Sequence, residues 1–403
     1  MLVALSPGEE ALAFRIADVE VTPGVELAGI YESNALLRSE DDPRGTPEDY
    51  IGRISPFLRL AYARGATDFA LGYRNELLFY KDFPERDVRG SNHELTLSAV
   101  RPLGERTTLT LADLLQAGET ITDITEIGFT DVEALTFLPA RREFVRNGAT
   151  LEISHDLTRT INALASLEYD YAHYDAFTRE DGEREPQSDE HHVRGFVTGS
   201  YAWHRRNSVT ASFGVTYHDY DRRGEAWVYT FAVGDRWQVT EALQLDGSVG
   251  FEYLSQELGT TGETSDSTNP YGALNATYEL AEDLTFLANF FYGTQASSGI
   301  GTSVETLSVR LSAIYQATEK LRLDGFGFYS DGESVDQGDE GVADLSVESF
   351  QAGAGIHYQL LSWAAPRVEY TYIDQDADES VGASYKDHRV IVGITLTLPE
   401  DFP

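Results

Sequence analysis

The chain has no cysteine. That excludes a disulfide framework, a thiolate metal site and a thiol nucleophile. It has a single methionine, and only 30 basic residues stand against 67 acidic ones, for a net charge of −37. A chain this acidic has little with which to release counterions from phosphate, so nucleic-acid binding is not expected. No apolar run reaches the ~18 residues of a membrane-spanning helix. The opening MLVALSPGEEALAF lacks the charged start and long apolar stretch of a complete secretory signal; it is either the remnant of one or the start of a mature chain.

What the chain does have is alternation. In LQLDGSVGFEY (243–253), Leu243, Leu245, Val249, Phe251 and Tyr253 alternate with Gln244, Asp246, Ser248 and Glu252. The same period of two runs through NSVTASFGVTYHDY (207–220), ETLSVRLSAIYQ (305–316) and RVIVGITLTL (389–398). Period two marks strands with one apolar and one polar face. Eighteen such segments are expected, near 22–33, 50–64, 67–81, 92–102, 105–117, 145–155, 158–175, 190–205, 207–221, 225–238, 240–254, 269–280, 283–295, 304–317, 319–330, 346–360, 363–374 and 386–399. The 11% aromatic content and 35 glycines suit strands and tight turns.

The connections alternate in length. After even-numbered strands they are tight, as in RGAT (64–67), VTEA (239–242) and ATEK (317–320). After odd-numbered strands most are long, acidic and glycine-rich, as in SEDDPRGTPED (39–49), REDGEREPQSDE (179–190) and SDGESVDQGDEG (330–341). Short turns at one end and long loops at the other are the pattern of a transmembrane β-barrel, and an even count puts both termini on the turn side. Tyr171, Tyr217, Tyr253, Tyr292, Tyr329 and Tyr372, with Phe79, fall near the loop ends; Trp203, Trp237 and Trp363 fall beside tight turns. Two aromatic rings bounding an apolar band are what bilayer interfaces select. A soluble sandwich, propeller or solenoid is the alternative, but no blade motif or strict repeat supports one.

The expected fold is therefore all-β: a closed antiparallel transmembrane β-barrel of about 18 strands (16–18). Residues 1–20 form an N-terminal segment, 21–399 the barrel and 400–403 an overhang. The apolar faces meet lipid and the polar faces line a lumen. By alternation the lining consists of Arg59, Arg74, Glu76, Glu94, Glu168, Asp170, Arg194, His218, Arg236, Asp246, Glu252, Glu279, Asn289, Arg310, Arg322, Asp324, His357, Arg367, Glu369 and Arg389. Both signs are present. They either pair across strands or create the transverse field that sorts solutes.

The opening strand VTPGVELAGIYESNALL (21–37), the turn-plus-strand units TEALQLDGSVGFEY (240–253) and TEKLRLDGFGFYS (318–330), and the closing HRVIVGITLTL (388–398) resemble a Gram-negative outer-membrane β-barrel. More narrowly, they resemble the β-barrel porin type 2 group. That resemblance implies an outer-membrane location with periplasmic termini, short periplasmic turns and long extracellular loops. It also implies a porin-like channel for small hydrophilic solutes or glycans, and for some members a link with exopolysaccharide systems. The chain departs from the usual aromatic terminus, ending TLPEDFP with Phe402 penultimate.

Further features carry less. The longest strand-free stretch, 118–144, is the third external loop in this count. By analogy with trimeric porins it folds inward, making Asp123, Glu126, Asp131, Arg141 and Arg142 constriction residues; a loop over the rim or an extra hairpin is the alternative. Asp374, Asp376 and Asp378 give half of a calcium-loop signature, but Glu379 stands where Gly is needed and Tyr385 where Glu is needed. No metal site or cofactor is expected. Acidic loops of this kind stay solvated or bridge lipopolysaccharide through divalent cations. No nucleophile–base–orienter set is legible, because adjacent His218 and Asp219 point to opposite faces. The chain is not expected to be an enzyme. A monomer and a trimer are both compatible with the sequence. The rival function is a non-conducting barrel whose loops bind a surface partner.

Overall fold

The computed structural model describes residues 14–16, 18–35, 45–84, 88–119, 143–174, 177–178, 184–185, 189–220, 224–258, 263–297, 302–334, 346–377 and 384–398. Eighteen antiparallel strands form the wall: β1 Val19–Glu32, β2 Asp49–Arg64, β3 Thr67–Tyr80, β4 Val88–Pro102, β5 Thr107–Glu119, β6 Glu143–Asp156, β7 Ile161–Tyr174, β8 Glu190–His204 and β9 Asn207–Tyr220. The second half continues with β10 Gly224–Gln238, β11 Leu243–Leu258, β12 Glu263–Ala281, β13 Leu284–Ser297, β14 Thr302–Thr318, β15 Leu321–Ser334, β16 Ser346–Tyr358, β17 Ala364–Ala377 and β18 Tyr385–Thr397. Each strand pairs with its sequence neighbours, and β18 returns to β1. The sheet is a closed barrel without an edge, the β solution to satisfying every backbone group inside a bilayer. A short segment, Phe14–Ile16, pairs with the start of β1, and Phe177–Thr178 pairs with Arg184–Glu185 beyond β7.

The closing ladder is among the shortest. β1 and β18 share nine residue pairs, Gly24–Glu32 against Thr397–Arg389, whereas β1 and β2 share fourteen. Side chains reinforce the seam at its loop end. The backbone of Asn34 donates to Asp387 at 3.0 Å, and its side chain to the Lys386 carbonyl at 3.1 Å.

Local sequence explains the tight turns. In three of them a threonine hydroxyl accepts two backbone N–H groups: Thr158 from Thr160 and Ile161, Thr240 from Ala242 and Leu243, and Thr318 from Lys320 and Leu321, all at 2.9–3.2 Å. Such side-chain turns reverse the chain without spending ladder hydrogen bonds. The β2–β3 turn instead uses Gly65 at φ 67°, a conformation that favours glycine.

The outward face is apolar and exposed. Val249 is 65% exposed, and Phe213, Phe231, Phe251, Leu274, Phe290, Leu311 and Val392 share the outward rows. On a water-soluble protein such a continuous belt would be a liability; on a closed barrel it is the lipid-contacting surface. Trp203, Trp237 and Trp363 lie exposed on this face beside the tight turns. Toward the loop side the outward aromatics touch in sequence: Tyr217 packs on Trp227 (4.7 Å between ring centres), Trp227 on Tyr229, and Tyr229 on Tyr253. Tyr372 stacks beside Phe350 and His388. Tyr171 sits against His191 at 4.6 Å.

Strand boundaries differ from expectation on the loop side. β11, β12 and β14 run to 16, 19 and 17 residues. Their ladders continue through SQEL and ETSDST, where hydrophobic alternation has ended but serine and threonine still suit a paired strand.

Candidate functional site

The lumen is the candidate site, and it has two regimes. On the turn side, inward residues are open to solvent: Arg59, Arg236, Asn275 and Glu279 are exposed. Although Arg146, Glu168 and Asp170 on β6 and β7 remain partly exposed, many inward residues on the loop side are buried. Some are polar, including Ser308, Thr306, Ser330 and Gln351, and some are apolar. Ile30, Ile51, Tyr80 and Ile391 form one apolar cluster on the inner wall, and Ala226, Val228 and Leu254 another. Phe328, Val347 and Ile373 are equally buried. A polar lining along the full length is therefore not what the chain builds. The polar face of the strands lines a vestibule on the turn side and gives way to a more buried, partly apolar inner wall over much of the loop side.

The inner wall around the barrel seam carries a belt of ion pairs. Arg322 lies 3.5 Å from Asp324, and His357 lies 2.9 Å from Asp324 and 3.9 Å from Glu369. Glu369 meets Arg367 at 3.2 Å. Arg367 and Arg53 both donate to the same oxygen of Glu26, each at 2.5 Å, with Arg74 3.8 Å from its other oxygen. Arg53 also approaches Glu76 at 3.6 Å. Four guanidiniums (Arg322, Arg367, Arg53, Arg74) thus face four carboxylates (Asp324, Glu369, Glu26, Glu76), with His357 between. The belt crosses the closing seam. Arg367 on β17 reaches Glu26 on β1 over β18, where Gly393 leaves the way clear: a Cβ there would sit 3.6 Å from the Arg367 Nε and 3.2 Å from Ala28.

Other inward charges are paired locally. Arg389 joins Glu32 at 3.0 Å and Asp387 at 3.7 Å, all three buried. Arg146 joins Asp170 at 2.7 Å, Arg194 approaches Glu168 at 3.5 Å, and Arg236 joins Asp246 at 2.7 Å. Glu252 accepts from the Thr294 backbone at 2.6 Å and from the Thr230 hydroxyl at 3.1 Å. Glu94 accepts from Gln116, and Asn289 donates to Asn275. Arg59 lies over the Phe57 ring and Arg310 over Phe326. His218 meets His192 at 2.7 Å, with Glu190 3.5 Å from the other nitrogen of His192. The strand register puts every lining residue expected from alternation on an inward row.

Alternation also applies to residues missing from that expectation. Glu26, Glu32, Arg53, Arg146 and Asp387 are inward and charged. Glu26 was detectable, since it alternates with Val25 and Leu27. Arg53 was masked, because Ile51 makes its own face look apolar while Gly52 and Pro56 interrupt the opposite one.

The expected constriction residues Asp123, Glu126, Asp131, Arg141 and Arg142 lie outside the described residues. So do Asp378 and Glu379 of the acidic repeat. Its described members are engaged by protein: the Tyr372 hydroxyl donates to Asp374 at 2.9 Å, and the Ser384 hydroxyl to Asp376 at 2.7 Å.

No protein-family model and no curated protein matches the chain. Among solved structures, it is similar to Pseudomonas aeruginosa OccK2 (OpdF) in complex with glucuronate, at 12% identity over 96% of this chain and 100% of that one, with a TM-score of 0.46. It is similar to P. aeruginosa OpdL at 15% identity over 95% and 100%, TM-score 0.45. It is also similar to the FrpB iron transporter of Neisseria meningitidis (F5-1 variant) at 9% identity over 94% and 82%, TM-score 0.47. The fold itself is established by the closed strand ladders.

Proposed function

We propose that the protein is an outer-membrane, porin-like channel for passive, weakly selective passage of small hydrophilic solutes or glycans. The observation that supports this is the charged, solvent-open vestibule on the turn side of a barrel whose strand number leaves room for an aqueous channel. Filtering is steric and electrostatic, with no bond chemistry. The ion pairs of the seam belt neutralise each other, so the wall contributes little net field. The net charge of −37 then sets the preference by raising cation concentration at the mouths. The turns face the periplasm and the acidic loops face outward, where divalent cations bridge them to lipopolysaccharide. The narrower kinship with the β-barrel porin type 2 group, and with it a role beside exopolysaccharide export, rests mainly on the opening segment VTPGVELAGIYESNALL (21–37).

One observation favours a second reading. The buried apolar clusters inside the loop-side lumen, such as Ile30–Ile51–Tyr80–Ile391, suit a permanently filled barrel that serves structure or surface interaction. Planar-bilayer conductance of the refolded protein in a salt gradient separates the two. A channel gives discrete steps of uniform size and a reversal potential of cationic sign. A folded barrel that gives no steps supports the filled barrel, and clear anion preference refutes the charge argument.

A further inference from the structure

The outward belt is apolar over most of the wall, and on one face it is broken at mid-strand. Asp113 is the central residue of β5 and lies on an outward row between Leu111 and Leu115. Asn147 of the neighbouring β6 donates to its carboxylate at 2.7 Å. Slightly nearer the loop side, on the same face, Asn75 of β3 and His93 of β4 are paired residues. The Nδ1 of His93 lies 2.9 Å from the Tyr73 hydroxyl and 3.2 Å from the Asn75 amide. Exposed Leu95, Leu115, Val145 and Leu151 surround the group. A carboxylate at bilayer mid-depth facing hydrocarbon is costly, and such groups mark faces that meet protein.

We propose that the outward face of β3–β6 is where two copies of this chain associate within the membrane. The patch carries its own complement. Asp113 supplies an acceptor on one side of it; the amides of Asn147 and Asn75 are spent within the chain, on Asp113, the Leu114 and Asn92 carbonyls and His93, and the His93 ring, contacted at Nδ1, presents Nε2 as the donor, so two identical patches related by a two-fold axis can each give what the other needs. Ala149, Ala163 and Ala165 continue the outward rows of β6 and β7 with small side chains, which lets two walls approach closely. The proposal rests on the membrane-barrel reading but not on whether the barrel conducts.

The cysteine-free chain makes the test direct. Ala149→Cys is introduced at the patch and, separately, Val249→Cys on another wall; each is oxidised in native membranes. Folding is confirmed for each by heat-modifiable gel mobility, which reports failure of the barrel reading independently. The expected result is a disulfide-linked adduct of two copies with Ala149→Cys and none with Val249→Cys. Adding Asp113→Leu should cut the Ala149→Cys adduct at least fivefold. If Ala149→Cys does not fold, Leu111→Cys serves at the same face. Equal adducts from both positions, no adduct from either, or an adduct with a chain of different mass would overturn the proposal.

Discussion

Glu26 is the hub of the seam belt, and its removal should be felt in stability. It is nearly buried and accepts two short charge-assisted hydrogen bonds, from Arg53 and Arg367, with Arg74 in reach. Each such bond contributes about 1.5–3 kcal/mol, so the gross loss in Glu26→Ala is about 3–6 kcal/mol. Two effects pull toward the lower end. Glu76 and Glu369 lie 3.6 and 3.2 Å from the two orphaned guanidiniums, and the Arg367 and Arg74 side chains keep partial access to water. Breaking one partner out of a buried pair typically costs about 3–5 kcal/mol. The expected destabilisation is therefore about 3 kcal/mol, roughly 150-fold in the folding equilibrium. It should be read by urea unfolding of the protein refolded into lipid vesicles, followed by tryptophan fluorescence. The comparison is Arg236→Ala: that pair is largely solvent-exposed and should cost about 0–1 kcal/mol. A Glu26→Ala midpoint no lower than that of Arg236→Ala would refute the claim that this carboxylate holds the seam.

Three further outcomes follow from the geometry. Gly393→Leu should sever the Arg367–Glu26 contact by filling the space over β18 and also crowd Ala28 and the Leu27 carbonyl, so it should lower the same unfolding midpoint, and by less once Glu26→Ala is already present. Val249→Arg, on the lipid face, should cost about 2–4 kcal/mol in vesicles, whereas Ser248→Arg, one residue away on an inward row, should cost well under half of that; equal costs would mean the faces are misassigned. Thr240→Ala removes the acceptor for two turn N–H groups and should cost about 0.5–1.5 kcal/mol in the same assay, with barrel insertion retained.

All eighteen strands were legible, because a bilayer enforces alternation more strictly than a soluble core does: each crossing must show apolar side chains on one face for its whole length. The inward residues followed from the same rule. What was not legible has a common cause. Alternation says which face a residue is on, but not what covers that face. Ile30, Ile51 and Ile391 look the same in sequence whether they meet lipid or interior, so the apolar loop-side interior was invisible. Glu26 and Arg53 were equally hard to rank, since their importance comes from convergence across β17, β18, β1 and β2, which are far apart in the chain. Asp113 breaks the outward pattern within a leucine-rich strand, a signal present in TLTLADLLQ that reads as noise until the neighbouring ladder places Asn147 on the same face.

Apolar rows meet lipid, and polar rows meet a lumen open on the turn side and more buried on the loop side. Single cysteines in this cysteine-free chain test this assignment directly, by labelling the vesicle-inserted barrel with a membrane-impermeant maleimide. Asp246→Cys should label quickly, Val249→Cys should be shielded by lipid, and Ser308→Cys should label at least tenfold more slowly than Asp246→Cys. Fast labelling at Val249 with protection at Asp246 would contradict the assignment of faces. Labelling at Ser308 as fast as at Asp246 would contradict the burial of the loop-side inner wall.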